Sequence, residues 1–506
     1  MGLLIRHLQA SPANLAADLA RYGSAAQWKG VYYRGEKIGF SVGQVVPFAD
    51  GYELQEDGRL QMILLGASSA ARLRTVAQVD RDFNLRSFSF SLDPGTGPLE
   101  INGTLEGRRL SLTISTPGGT RSETRELAEA PILSLNLSRR LAAAGLRSGD
   151  RHTMTVFDPA TLRNAPMVLE IGQREVVRAA GKPVPAFKVQ MTFGGIASTS
   201  WVTDTGEVVR EESPMGLLVV KETRDRAMAL AVPGDVQVDL LQAAAVVPST
   251  SKRILEPTGV VLLRMRLEGM DLSDPDLQGG SQTVTEGVVM LRDPRSLKPG
   301  SRDPSAERFT QPEPLIESDA PEIVAEAQEA ARGATTARQK AERLVRHVNH
   351  LLEKKPTVSL PSAREVLRTR VGDCNEHTAL YVAMARSLGI PARIAVGLVF
   401  LHGAFYYHAW PEVYLTEAGG GLWLPVDPTL NQFPADTTHL RLARGGLDKQ
   451  AAILPLIGKL KIAILDVQVQ PGTDPTLIGR PAQDTRPMEI VLPQRGGGGA
   501  TCWSSP

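Results

Sequence analysis

Cysteine is almost missing from this 506-residue chain, which has only Cys374 and Cys502. Two thiols cannot form a disulfide framework, so the fold has to be held by apolar burial and hydrogen bonding. Aromatic residues are scarce at 5%, and 56 Lys and Arg against 55 Asp and Glu leave a net charge of +1. A chain so close to neutral lacks the basic field that nucleic acid or an anionic membrane surface would need. Long hydrophobic runs are missing too. None approaches the roughly 20 residues of a membrane span, and Met1–Arg6 is too short for the apolar stretch of a signal peptide. Taken as it stands, the sequence predicts a cytoplasmic protein. A leader or anchor missing from the N-terminus would instead make it exported or periplasmic, and only then membrane-associated.

Glycine and proline, by contrast, are plentiful at 47 and 35 residues, which suits short strands joined by many turns. Ser11–Arg21 has helical spacing with Ser11 as its cap, and Trp28 then opens a strand-rich region. Tyr32-Tyr33 and Ile38–Val42 flank a turn at Arg34-Gly35, and Leu99–Leu105 and Leu110–Ile114 flank another at Gly107. Phe88, Phe90 and Leu92 alternate with serines, the pattern of a sheet buried on one face. A helix over Leu135–Ala144 interrupts the strands, which resume to about Ala229. Residues 1–229 are therefore expected to form a β-rich domain built on one curved antiparallel sheet.

Residues 230–292 read as a smaller β-rich domain with strands at Val260–Leu267 and Val284–Met290. Residues 293–316, rich in Pro, Ser, Arg and Asp, read as a linker. The expected catalytic core, 317–468, opens with helices capped at Asp319, at Thr335 or Thr336, and at Ser362. Residues 469–506 turn Pro-rich and then Gly-rich, a composition of disorder.

The chemistry is concentrated between Val371 and Thr429. Cys374 follows Gly372-Asp373, and Ala379, Leu380, Ala383, Met384 and Leu388 then recur at helical spacing. Asp373 is the expected N-cap, so Cys374 falls in the first helical turn. Free N–H groups and the helix dipole favour an anion there, a setting that lowers thiol pKa values to ~3.5–7.5. Phe405–Leu415 reads as a strand with Tyr406, His408, Trp410 and Glu412 on one face. Leu422–Val426 reads as the next, placing Asp427 at its end. A thiol to attack, an imidazole to carry its proton and a carboxylate to orient the imidazole are the parts of a cysteine nucleophile site.

A lone cysteine in an apolar helix is most often a small core residue. Here Gly-Asp before it and the His and Asp motifs after it favour the nucleophile. Cys374, Glu376 and His377 lack zinc-ligand spacing and no second cysteine is near, so no metal is expected. His402 and His439 read as surface or loop residues.

The runs VGDCNEHTALYVAMARSLGIPARIAVGLVF, FYYHAWPEVYL and GLWLPVDPT resemble the core of the transglutaminase-like superfamily. The resemblance covers roughly residues 317–468 and implies an α+β fold. Its papain-like core would pack a helix-borne cysteine on an antiparallel sheet, here preceded by mostly antiparallel β domains. It implies Cys374 as nucleophile, His408 as base and Asp427 as orienting acid, acting on a peptide or protein substrate without a cofactor. The product is a thioester acyl-enzyme, resolved by water in a protease or amidase or by an amine in an acyltransferase; hydrolysis is the favoured expectation. The competing expectation is a catalytically inactive scaffold whose β domains dock a partner.

Overall fold

A computed structural model describes residues 19–470 except 20, 65–66, 96, 194, 214–215, 230–242, 251–253, 356–361, 418, 446–452 and 454–455. The expected helix at Ser11–Arg21 thus lies almost wholly outside the described residues, as does the tail with Cys502. Antiparallel sheet dominates, and helices are few. Among the described residues no helix is long and apolar enough to cross a membrane.

Fourteen strands between Gln27 and Glu222 form one continuous antiparallel sheet. Eight of them meander outward from Gln27–Tyr33 to Gly119–Glu126. Helix Ser134–Ala144 follows, and a second meander returns so that Leu217–Glu222 pairs with the first strand, Trp28 opposite Glu222. Alternation drives the burial. Phe88, Phe90 and Leu92 are buried between partly buried serines, and Leu99–Glu106 buries every second side chain along most of its length. The edge strand Gly119–Glu126 reads GTRSETRE and buries none of its residues; such a charged edge resists pairing with another chain.

The C-terminal half departs from the expected division. Val260–Glu268 pairs on one side with Val288–Arg292 and on the other with Lys461–Val469, almost two hundred residues further along the chain. Leu263, Met265 and Val289 belong to the same buried cluster as Ala379, Leu380 and Val413. The boundary expected at 292 therefore separates no two cores. Val284–Met290 is also not one strand: Glu286 and Gly287 take positive φ and turn Gln282–Thr285 back onto Val288–Arg292. Residues 293–316, expected as a linker, form a packed strap. Gly300 bridges Gly421, Asp303 bonds the Tyr414 hydroxyl and the Trp423 indole, and Phe309 packs edge-on against Trp423. Polar composition suggested a tether because the Asp and Arg partners of the strap lie far along the chain.

Around this core the expected helices form at Pro321–Ala330, Ala337–Leu351, Ala363–Thr369 and Cys374–Ser387. Thr336 and Gln339 make a reciprocal capping box and Ser362 caps its helix, but Ala320, not Asp319, precedes the first, with Pro321 at its opening position. The four-stranded sheet beside them has the order Gly420–Pro425, Ala404–Glu417, Ala392–Leu401, Leu440–Gly445. A buried charge cluster ties three of these strands together: Glu412 accepts from Arg393 at 2.8 Å and from Arg441 at 2.7 Å. Burial would push the Glu412 carboxyl up, but Arg441, Arg393 and Arg444 hold it down at about 2. Arg441 also donates to the carbonyls of Asp276, Gln278 and Gly279, fastening the 275–285 segment to the same sheet.

Two predictions follow from this packing. A chain starting at Glu317 leaves Lys461–Val469 without its pairing strand and exposes Leu263's side of the core. It is expected to be unfolded or aggregated by circular dichroism, whereas a chain starting at Ala243 melts cooperatively. Glu412→Gln strands two buried guanidinium groups and should cost about 3–5 kcal/mol of stability in urea unfolding at neutral pH. The sign of the pH effect follows from the lowered pKa: the wild-type contribution is complete above the ordinary value of 4.5 and lost as pH falls toward about 2.

Candidate active site

Asp373 caps the Cys374–Ser387 helix by accepting from the Asn375 N–H at 2.8 Å, while Glu376 reaches back to the Asp373 N–H at 2.8 Å. Cys374 is consequently the first helical residue. The helix is buried along most of its length, from Glu376 to Arg386, so its position is set by packing on every side.

Two side chains of this helix meet one peptide of the neighbouring strand. The Ala409 N–H bonds the Cys374 sulfur, and the Thr378 hydroxyl donates to the Ala409 carbonyl at 3.1 Å. The reason lies in the sheet. Strand Gly420–Pro425 pairs only with residues 412–417, and the ladder ends at Pro411, whose carbonyl still accepts from the Val426 N–H at 2.9 Å but which has no N–H to return. Ala409, just beyond, has an edge with no strand on it, and the helix takes that place. Cys374 is thereby set against the residue next to His408.

Beyond Pro425 the chain leaves the sheet and folds over. Backbone bonds between Asp427 and Gln432, 2.8 and 2.9 Å long, close a loop. Inside it Asp427 Oδ1 accepts from the N–H groups of Thr429 and Leu430 at 2.7 and 2.9 Å. The other oxygen, Oδ2, accepts from His408 Nε2 at 2.7 Å and from His439 Nε2 at 3.0 Å. Asp427 is 0% exposed. Burial alone would push its carboxyl up, but the charges and hydrogen bonds of His408 and His439 hold it well below the usual carboxylate range. An ionised carboxylate only accepts, so His408 Nε2 carries a proton and Nδ1 is the ring nitrogen left for exchange with a thiol.

The three residues picked from sequence thus meet in one place. His439 had been assigned to a surface or loop, yet it is buried and completes the arrangement. Its Nδ1 faces Asp436, 3.1 Å from the carbonyl and 3.2 Å from Oδ1. The spacing Asp436-Thr-Thr-His439 was visible in sequence, but nothing in it told that the loop would return this ring to Asp427. His402, by contrast, sits exposed in a hairpin turn. His377, one turn beyond Cys374, bonds the Asp373 carbonyl through Nδ1 at 2.7 Å. Burial pushes its pKa down, so it is neutral, with Nε2 buried and unpartnered among the described residues.

His408, Asp427 and His439 also form the one group among the described residues whose ligand atoms lie close enough to share a metal, within 4.8 Å of one another. Their hydrogen bonds already occupy those atoms. Burial would push His439 down, but Asp436 and Asp427 push it up to about 10, and a protonated imidazole offers no lone pair to a metal.

The Cys374 thiol departs from expectation. Burial pushes it well above its ordinary pKa, and Asp373, Glu376 and Asp427 add to the rise, against a single lowering bond from Ala409. The helix terminus does not win, because burial penalises the thiolate most, and the neighbouring carboxylates, Asp373 foremost, add to that. Alkylation of Cys374 by iodoacetamide should therefore be slow at pH 6 and still be accelerating above pH 9. A plateau already reached by pH 7, measured by peptide mapping, would show a thiolate instead.

Residues 325–428 match the family model of the transglutaminase-like superfamily, so this part of the chain is a transglutaminase-like domain. No curated protein matches the sequence. Among solved structures, the chain is similar to a β-barrel-like protein of a domain of unknown function from Brucella abortus, at 14% identity and a TM-score of 0.31, over 39% of this chain and 95% of that one. It is also similar to a candidate cysteine protease from Cytophaga hutchinsonii, at 16% identity and a TM-score of 0.28, over 47% of this chain and 89% of that one.

Proposed function

We propose that residues 317–468 form the papain-like, transglutaminase-like core of a cysteine enzyme acting on a peptide or amide substrate. The observation that carries the reading is the contact of Cys374 with the Ala409 N–H, next to His408, whose Nε2 is tied to a buried, ionised Asp427 at 2.7 Å. In this reading Cys374 starts as a thiol. As the sulfur attacks the substrate carbonyl, its proton passes to His408 Nδ1, and the imidazolium formed is stabilised by Asp427. His408 then returns the proton to the leaving amine, and a thioester joins the acyl group to Cys374. Water, activated by the same imidazole, releases the acid and regenerates the thiol. Hydrolysis is favoured over transfer to an amine, and the β-rich N-terminal region presents or shields the core.

Mass spectrometry of the protein incubated with a peptide library, with and without an amine donor, tests this directly. A mass added to the Cys374 peptide identifies the acyl donor, and the released product identifies the acceptor. Cys374→Ala should abolish the adduct with the fold intact. Asp427→Asn should also fold and cut turnover by a factor on the order of 10⁴, as in comparable triads. Near-full turnover of either variant would remove that residue from the mechanism.

A further inference from the structure

The carboxylate that orients His408 is itself held by a second imidazole. His439 is 2% exposed at its side chain and lies in a line of four groups: Asp436, His439, Asp427, His408. Both its ring nitrogens face oxygens, Nδ1 toward Asp436 and Nε2 toward Asp427. Carboxylates accept only, so the geometry satisfies both nitrogens when both carry protons, which is the imidazolium form. Building a ring between two acids in the core costs desolvation and is repaid only when each charge has its partner. Two carboxylates and one permanent cation meet that condition, and His408 is left as the member free to gain and lose a proton.

We infer that His439 is a positioning residue: a buried imidazolium, clamped by Asp436, that locks the Asp427 carboxylate and opposes protonation of His408. The inference rests on the Cys-His-Asp reading above. Its physical basis is twofold. Asp427 Oδ1 is fixed by the Thr429 and Leu430 amides, so a donor at Oδ2 from a second direction leaves the carboxylate no freedom to rotate. The His439 ring centroid lies 5.9 Å from that of His408, and a positive charge there disfavours a second one. The other groups facing this line are few. Trp410 packs edge-on against His439 at 5.1 Å and carries no charge, Cys374 and His377 approach from the helix side and feel Asp427, and Arg441, two residues on, is committed to Glu412. Without this cation Asp427 would stabilise a protonated His408, which cannot accept the thiol proton.

The test is the rate of Cys374 alkylation by iodoacetamide between pH 5 and 10 in the full chain, read by peptide mapping. The variants are His439→Gln, Asp436→Asn and His408→Ala. His439→Gln keeps a neutral donor but removes the charge, and its profile should move to higher pH by on the order of one unit. Asp436→Asn leaves the ring in place but removes the carboxylate that keeps it charged, and should give a smaller shift in the same direction. A role in packing alone would lower thermal stability without moving either profile. Profiles of folded His439→Gln and Asp436→Asn that superimpose on wild type overturn the inference. Should His439→Gln fail to fold, the Asp436→Asn profile decides alone. His408→Ala separates the two levels of argument: it should lower the rate at neutral pH at least about ten-fold. An unaffected rate there sinks the Cys-His reading itself, while a collapsed rate with unmoved His439→Gln and Asp436→Asn profiles sinks only the role of His439.

Discussion

One carboxylate organises the transglutaminase-like part of this protein. Asp427 receives four donors, two backbone amides on Oδ1 and two imidazoles on Oδ2, in a place with no access to water. A buried anion is tolerated only when its lone pairs are taken up, and here each donor also does structural work. The amides close the loop that follows the sheet, one imidazole belongs to the strand facing the nucleophile, and the other opens the strand Leu440–Gly445. Three segments thus share one point of attachment.

The sheet supplies the complementary constraint. Pro411 ends a ladder between two strands, and the backbone edge beyond it is filled by Cys374 and Thr378 from a buried helix. A strand normally avoids interior proline because it loses a hydrogen bond. In this position the loss is the device that admits the helix, and the register of helix on strand follows from two bonds to one peptide. Glu412, one residue past Pro411, anchors the same strand through two arginines from its neighbours, so the face that carries His408 cannot slide.

The electrostatics that result favour a site that is quiet until substrate arrives. Burial raises the thiol most, and the carboxylates of Asp373, Glu376 and Asp427 add to it, so the helix terminus is outweighed. In the proposed mechanism, bond formation then coincides with proton transfer to His408.

Much of this was legible from local pattern. Gly-Asp before an apolar 3.6-residue period located the cap at Asp373 and the helix start at Cys374, alternation located the strands bearing His408 and preceding Asp427, and Arg34-Gly35 located a tight hairpin. Each of these features is specified within a dozen residues by propensity and periodicity. What tertiary structure alone decided involves partners distant in sequence. Lys461–Val469 completes a sheet begun at Val260, the polar strap at 293–316 packs on Tyr414 and Trp423, and a loop carries His439 back to Asp427. Likewise the height of the Cys374 pKa comes first from burial, a quantity that no stretch of sequence contains until the chain has closed around the sulfur.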